Sequence, residues 1–185
     1  MEQKHHEIIH HEQLLKKVGI DTGYVVADLG TGREGTFTML AAQMVGQAGF
    51  VYALDVMEDA LEAIKERAKR ENYDNVITVW TDLEMYGAAQ QVRDHTVDVA
   101  ILSDTLSQSR EREDILREAS RMLKLHGKLL VLEWKPQPTP IGPPIDQRVK
   151  AEEIQQLAEG LGMSLEEQFE AGAYHWALIL EKISS

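Results

Sequence analysis

Glycines and carboxylates recur in this sequence at the points where short apolar segments end. The segment YVVADL is followed by the turn GTGREG, in which Gly30, Gly32 and Gly35 have the spacing GxGxxG. Two later apolar segments end in Asp55 and Asp82. Glycines let a ligand approach the backbone closely, and a carboxylate can accept hydrogen bonds from both hydroxyls of a ribose. The pattern therefore predicts a nucleoside-binding site.

The charge around the glycine turn favours one kind of nucleoside. A pyrophosphate at this turn would meet the carboxylates of Asp28 and Glu34. S-adenosylmethionine has no phosphate and a net charge of about +1. A pocket with the carboxylates of Asp28, Asp55 and Asp82 therefore suits it better than it suits a dinucleotide. An NAD(P)-dependent oxidoreductase remains the alternative enzyme.

Alternating strands and helices are needed to bring these residues together. Apolar runs typical of buried strands lie at 24–29, 50–55, 76–81, 97–103 and 128–134. Segments with helical spacing separate them, among them a weaker one at about 85–93 and another near 110–124. This alternation predicts βαβ units and therefore a doubly wound, Rossmann-like α/β fold. The carboxyl ends of its parallel strands would share one edge of the sheet, where ligands bind.

The end of the chain breaks this alternation. After a last helix, the segments 163–170 and 173–182 are joined only by Ala171 and Gly172. A connection this short allows an antiparallel hairpin and excludes a helical crossover. We therefore expect seven strands, mostly parallel, with a reversed last strand.

The length of 185 residues fits one domain, 1–185. We expect an N-terminal helix within 1–22, a cofactor-binding core at 23–134, a proline-rich lid loop at 135–149, and the last helix with the closing hairpin at 150–185. The loop holds all five prolines of the chain, which restrict its backbone and favour a shaped lid. A rigid spacer is the alternative. Within the loop, Arg148 is either a binder of an anionic acceptor or a solvated surface side chain.

Composition excludes several functions. The formal net charge of −12 disfavours binding to nucleic acids, because it repels their phosphates. The absence of cysteine removes disulfides, thiolate metal sites and a cysteine nucleophile. No apolar run reaches the roughly 18 residues of a membrane span. Because the N-terminus is polar, we expect a cytoplasmic location. Homo-oligomerisation is left open.

Four segments carry a resemblance to a known family. VVADLGTGREG, VYALDV and WTDLEMYG resemble the first three motifs of the class I S-adenosylmethionine-dependent methyltransferases, and ILREASRMLKLHGKLLVLEWK resembles a helix, turn and strand late in that fold. The nearest likeness is to small-molecule methyltransferases typified by the ubiquinone and menaquinone biosynthesis enzymes. The resemblance implies S-adenosyl-L-methionine as cofactor and methyl transfer to a small-molecule acceptor by direct displacement. Because Glu34 stands where the family usually has glycine, a non-catalytic cofactor-binding or interaction protein stays an alternative.

The resemblance also implies roles for single residues. The methionine part of the cofactor would be held by Asp28, Gly30, Thr31 and Gly32, and the neighbouring Leu29 and Gly35 would also contact the cofactor. Asp55 would bind the ribose, and Val56 and Met57 would flank the adenine. Asp82, with Leu83 beside it, would bind the adenine amino group, and Ser103 would lie near the sulfur.

Methyl transfer requires few catalytic groups from the protein. Displacement from a sulfonium releases a neutral leaving group, so a base is needed only where the acceptor arrives protonated. The reversed strand starts at the ligand edge and places Tyr174 and His175 there. His175 is the first candidate for that base, with Tyr174, Asp104 and Glu133 as further candidates. A histidine packed in the core is the alternative.

Four histidines near the N-terminus form a separate cluster, His5, His6, His10 and His11. His6 and His10 have the i, i+4 spacing that can chelate a divalent metal on a helix. Exposed histidines on a frayed helix are the simpler interpretation, and no metal is predicted.

Overall fold

The computed structural model describes residues 9–184, which alternate between strands and helices as predicted. The strands are β1 Val25–Leu29, β2 Phe50–Asp55, β3 Val76–Trp80, β4 Val97–Ser103, β5 Leu123–Trp134, β6 Met163–Ala171 and β7 His175–Lys182. The α-helices are α1 His11–Val18, α2 Thr36–Val45, α3 Glu58–Glu71, α4 Arg112–Met122 and α5 Ala151–Gly160. Short 3-10 helices lie at Gly46–Ala48, Leu106–Gln108 and Ile145–Gln147.

All seven strands form one sheet with the order β3-β2-β1-β4-β5-β7-β6. The first five strands pair in parallel, and β7 pairs antiparallel with both β5 and β6. The predicted fold class is therefore confirmed, including the reversed last strand. The reversed strand lies inside the sheet, next to the edge strand β6.

Side chains alternate between two apolar layers along each strand. One layer packs β1, β4 and β5 against α4 and α5, through residues such as Leu29, Leu102 and Val131. The other packs the same strands against α1 and α2, through residues such as Val26, Ile101 and Leu132. Helices thus cover both faces, and the strand ends at the carboxyl edge are left to form a site.

The helix predicted at about 85–93 is wrong. This segment consists of turns, and the buried carboxylate of Glu118 in α4 accepts hydrogen bonds from the amides of Gly87 (2.8 Å) and Ala89 (3.3 Å). Arg121 pairs with Glu118 at 2.7 Å and donates to the carbonyl oxygens of Ala89 and Val92. These groups satisfy part of the backbone from outside, and turn hydrogen bonds within the segment, such as that from the Val92 amide to the Ala89 carbonyl (3.0 Å), satisfy more of it without a helix.

Two predicted boundaries also shift. Helix α4 ends at Met122 and β5 begins at Leu123, whereas the sequence predicted a helix near 110–124 and a strand that begins only at 128. His126 has a positive φ of 66°, and the pairing of β4 with β5 shifts register between Val97 and Val99, so Gly127 lies within an irregular strand. The first helix is described from His11 onward.

Within residues 9–184, no helix has the length and apolar composition needed to cross a membrane. The division of the chain into N-terminal helix, cofactor core, lid loop and closing hairpin stays a prediction.

Candidate functional site

A cavity of about 320 Å³ opens at the carboxyl edge of the sheet. Its lining combines glycines, acids and apolar side chains: Gly30, Gly32, Asp55, Val56, Met57, Thr81, Asp82, Leu83, Glu84, Thr105, Gln108, Ser109 and Ile115. The predicted residues at the ends of β1, β2 and β3 therefore do meet. Its volume and its mixture of apolar and polar groups are typical of small-ligand sites.

The three glycines of the turn differ in their surroundings. Gly30 and Gly35 have positive φ angles, and an added Cβ would meet Thr105 Oγ1 at 2.6 Å and Ile64 Cδ1 at 2.0 Å, respectively. Gly32 also has a positive φ, but a Cβ there would meet nothing within 4 Å. Gly30 and Gly35 thus allow close packing, whereas the space beside Gly32 belongs to the cavity.

Glu34 does not line this cavity. Its side chain is exposed, and its backbone carbonyl accepts a hydrogen bond from Arg67 of α3. Gly35 has a left-handed backbone and packs directly under Ile64. The turn therefore brings its third glycine against α3 and directs the Glu34 side chain outward. Glu34, which stands where the family usually has glycine, does not obstruct the cavity.

Asp55 ties the glycine turn to the end of β2. Its Oδ2 accepts a hydrogen bond from the Gly32 amide and its Oδ1 accepts one from the Met57 amide, both at 2.9 Å. Each carboxylate oxygen can accept a second hydrogen bond, so capacity for hydroxyl groups in the cavity remains. Asp82 is half-buried, and its Oδ1 accepts a hydrogen bond from the Glu84 amide at 3.0 Å. It caps a turn where the sequence suggested a helix.

Asp28 lies beneath the turn and outside the lining of the cavity. It is 3% exposed, and Thr38 donates its hydroxyl to Asp28 Oδ2 at 2.6 Å. Thr31 in turn lies 2.7 Å from the Thr38 hydroxyl. Burial raises the pKa of Asp28 to about 6, against the hydrogen bonds from these threonines. Of the three acids expected to converge, Asp55 and Asp82 line the cavity and Asp28 is buried outside its lining.

Of the other predicted residues, Leu29 and Ser103 lie near the cavity without lining it, whereas Val56 and Met57 belong to its lining. Leu29 is fully buried, and its carbonyl accepts a hydrogen bond from the Thr105 hydroxyl at 3.0 Å. Ser103 is half-buried and bonds the same hydroxyl through its carbonyl at 3.2 Å. Val56 and Met57 are more than half exposed at the rim, and the Trp80 indole donates to the Val56 carbonyl. Thr105 is a lining residue that the sequence analysis missed, because its role depends on β1 and β4 being neighbours.

His175 and Asp104 meet at the same edge, on the α1–α2 face of the sheet. His175 Nε2 lies 3.3 Å from Asp104 Oδ1, and His175 is 5% exposed. Among the described residues, neither of these two atoms has a hydrogen-bond partner. Asp104 also has a positive φ of 54°, an unfavourable conformation that is often associated with functional sites. A buried histidine and a carboxylate with unmet hydrogen bonds could take up a proton from a bound ligand.

The other two candidates occupy different positions. Glu133 is fully buried on the opposite face, where Oε1 accepts a hydrogen bond from the Ser107 amide at 3.0 Å. Burial above all, and then the charge of Asp104, raise the pKa of Glu133 to about 7. Tyr174 is half-buried in the hairpin turn, and its carbonyl accepts a hydrogen bond from the Lys135 amide at 2.7 Å.

Comparison with known proteins shows which family has this fold and glycine turn. A family model described as a methyltransferase domain matches residues 20–174. The chain belongs to this methyltransferase family. The match includes the glycine turn and nearly the whole sheet, and it confirms the resemblance to the class I methyltransferases found in the sequence.

Curated relatives narrow the likeness within the methyltransferase family. The ubiquinone/menaquinone biosynthesis C-methyltransferase of Escherichia fergusonii is 34% identical over 117 residues, which cover 63% of this chain and 45% of that protein. The corresponding enzyme of Pasteurella multocida is 33% identical over 117 residues, covering 63% of this chain and 42% of that protein. The matched part thus spans less than half the length of these relatives.

Solved methyltransferase structures share the fold. A SAM-dependent methyltransferase from Aquifex aeolicus superimposes with a TM-score of 0.86 at 26% identity, covering 95% of this chain and 90% of that one. The [4+2]-cyclase SpnF has a TM-score of 0.79 at 15% identity, covering 95% and 80%. Together with the family match, the Aquifex protein confirms S-adenosylmethionine as the cofactor predicted for this methyltransferase.

The residues of the cavity fit this cofactor. The open space beside Gly32 admits a ligand against the turn, and Asp55 retains acceptor capacity for the ribose hydroxyls. Apolar side chains of Val56, Met57 and Leu83 line the part of the cavity next to Asp82, as a purine would require.

A larger cavity, of about 680 Å³, opens at the opposite end of the sheet beside Phe50, Tyr73 and Asn75. It lies where strands begin, and the amide of Asn75 is already bonded to the carbonyls of Ala42 and Gly46. Because ligands of such sheets bind beyond the carboxyl ends, we assign the methyltransferase site to the smaller cavity.

The described histidines of the N-terminal cluster separate. His10 is exposed ahead of α1, whereas the half-buried ring of His11 packs edge-on against Phe37 with centroids 4.9 Å apart. Burial lowers the pKa of His11, while the carboxylate of Asp104 acts in the opposite direction. His11 thus turns toward the His175–Asp104 pair, which the sequence analysis missed. His5 and His6 lie outside the described residues, and residues 9–184 contain no cluster suited to a metal ion.

The burial of Asp28 makes a prediction about stability. Its folded pKa of about 6 lies above its ordinary value of 3.8, so stability present below pH 4 is lost as the pH rises through 6. We expect Asp28→Asn to raise the free energy of unfolding at pH 8 by about 1–3 kcal/mol, and the gain to vanish near pH 4. Urea denaturation of both proteins at the two pH values measures the difference.

An exposed acid serves as the control for this substitution. Asp74→Asn removes the same charge from an exposed position, and we expect no pH-dependent gain from it. A loss of stability in Asp28→Asn at pH 8 would show that the ionised carboxylate stabilises the fold, contrary to this argument.

Proposed function

We propose that this chain transfers a methyl group from S-adenosylmethionine to a small-molecule acceptor. The cofactor lies in the cavity beside Gly32, Asp55 and Asp82, and the acceptor lies against the His175–Asp104 pair. One observation carries the proposal: Asp104 is the direct neighbour of Thr105, which lines the cofactor cavity. The base and the cofactor therefore meet at the end of β4.

The residues of the chain act by binding and by moving one proton. Gly32 admits the cofactor to the turn, and Asp55 orients its ribose. When bound, the cofactor supplies an electrophilic methyl group whose transfer leaves a neutral thioether. His175 takes the acceptor proton at Nδ1, while its Nε2 faces Asp104 Oδ1 at 3.3 Å and this carboxylate stabilises the resulting imidazolium. Trp134, packed on the His175 ring with centroids 4.1 Å apart, limits the access of water.

The small size of the acceptor is supported by the curated relatives, whose names place them in ubiquinone and menaquinone biosynthesis. The net charge of −12 supports it as well, because it disfavours a nucleic acid. The cytoplasmic location stays a prediction, and homo-oligomerisation stays open.

A non-catalytic or different use of the fold is the second candidate. The [4+2]-cyclase SpnF has the same fold, and its name indicates another reaction, so the fold alone does not determine the chemistry. The buried base next to the cofactor cavity favours methyl transfer over binding alone.

Calorimetry and turnover test the proposal in sequence. We expect S-adenosylhomocysteine to bind and NADH not to bind, because the carboxylates of Asp55, Asp82 and Glu84 in the cavity lining oppose a pyrophosphate. Incubation of the protein with S-adenosylmethionine and a panel of small phenols, amines and carbon acids should then release S-adenosylhomocysteine. Binding of NADH alone would contradict the cofactor assignment, and binding without any turnover would favour the non-catalytic candidate.

A further inference from the structure

Arg148 closes the proline-rich loop on itself. A guanidinium has five N–H donors, and here they are directed to five acceptors within 135–149. These are the carbonyl oxygens of Pro143 (3.0 Å), Lys135 (3.1 Å), Gln137 (2.6 Å) and Ile141 (3.2 Å) and the hydroxyl of Thr139 (2.6 Å). All five donors are thus occupied by the loop. Arg148 is therefore neither free to bind an anionic acceptor nor a solvated surface side chain, the two interpretations made from the sequence. Arg148 is an internal clamp.

The loop held by Arg148 packs against the indole of Trp134. The guanidinium carbon of Arg148 lies 5.3 Å from the centre of a Trp134 ring, a distance typical of cation–π contacts. On the same side chain, Gly142 packs so closely that a Cβ added there would meet Trp134 Cε3 at 2.6 Å. Gly142 also has a positive φ of 98°, so a side chain would be strained as well as crowded. The loop therefore fixes the position of Trp134.

Trp134 in turn covers His175. The two residues are paired across β5 and β7, and their ring centroids lie 4.1 Å apart at an interplanar angle of 48°. His175 is 5% exposed, with Nε2 directed to Asp104. A contact this close restricts the rotamer of the imidazole and excludes water from one side of it.

We propose that Arg148 is a positioning residue, which clamps the 135–149 loop so that Trp134 holds the His175 imidazole against Asp104. The importance of this for catalysis rests on the proposed function, in which His175 takes the acceptor proton. The loop then acts as a preformed cap over the acceptor side. Its coupling to the base runs through the single indole of Trp134.

Arg148→Lys tests the coupling, because an ammonium has three donors and no fork to span the loop. In the full chain we expect faster hydrogen exchange at 135–149 and about tenfold faster carbethoxylation of His175 by diethyl pyrocarbonate. Affinity for S-adenosylhomocysteine should stay unchanged, since Arg148 does not line the cofactor cavity. Arg110→Lys, the same substitution at an exposed arginine, should change none of these.

A milder variant keeps the test decisive where Arg148→Lys fails to fold. Thr139→Val removes one of the five acceptors and should raise both rates by a smaller factor. Faster exchange in the loop with unchanged labelling of His175 would overturn the proposal, as would unchanged exchange. Neither readout needs turnover. Failure of the wild type to bind S-adenosylhomocysteine would therefore count against the proposed function and leave the coupling of loop and imidazole intact.

Discussion

Asp55→Ala is expected to weaken the binding of S-adenosylhomocysteine by about 1–3 kcal/mol, roughly 5- to 150-fold, with the fold retained. The carboxylate would lose its contacts to the ribose hydroxyls. The variant also loses the hydrogen bonds from the amides of Gly32 and Met57, which hold the turn against β2. Titration calorimetry measures the affinity, and urea denaturation measures how much these two hydrogen bonds contribute to the free energy of unfolding.

Asp59 supplies the matched control for Asp55. It lies four residues further along, in the first turn of α3, and pairs with Arg33 on the surface. Asp59→Ala removes the same charge close to the site but outside the cavity lining, so affinity should change by less than about twofold. An equal loss in both variants would mean that the net charge, and not the position of Asp55, determines binding.

The sheet was predictable because its signals are local. Each buried strand is a short apolar run, and the three-residue connection between β6 and β7 is short enough to permit only an antiparallel pair. The meeting of Gly32, Asp55 and Asp82 at one cavity followed from the same alternation, because parallel strands end at one edge. Local patterns were thus enough to predict these features, although the sheet itself pairs strands that are distant in sequence, such as β1 with β4.

The features that were missed depend on distant partners. The segment at 85–93 has a weak helical pattern, yet two of its amides, those of Gly87 and Ala89, donate to Glu118, about 30 residues away. The position of Asp28 follows from strand alternation, which turns it with Val26 toward α2 and beneath Thr38. Arg148 bonds mainly to backbone carbonyls, which no pattern of side chains can reveal.

His175→Ala is expected to lower kcat by about 10²–10⁴-fold while leaving the affinity for S-adenosylhomocysteine unchanged. The substitution removes the proposed proton acceptor, and His175 does not line the cofactor cavity. Turnover is measured with an acceptor that the wild type methylates. His126→Ala, at an exposed histidine paired with Glu181, is the control and should keep full activity.

Asp104→Asn separates a catalytic role of the pair from a structural one. Asparagine tolerates the positive φ of 54° at this position, so the variant keeps the backbone and loses only the charge that faces His175. We expect kcat to fall by about 10–100-fold, because the imidazolium loses its stabilising partner.

Added imidazole provides the final distinction for His175. In His175→Ala it can enter the space left beside Trp134 and restore part of the lost turnover, because a free base can replace a missing proton acceptor but not a missing packing contact. A histidine that only packs in the core predicts the opposite pattern. The alanine variant would then lose stability, keep its kcat per folded molecule, and show no response to imidazole.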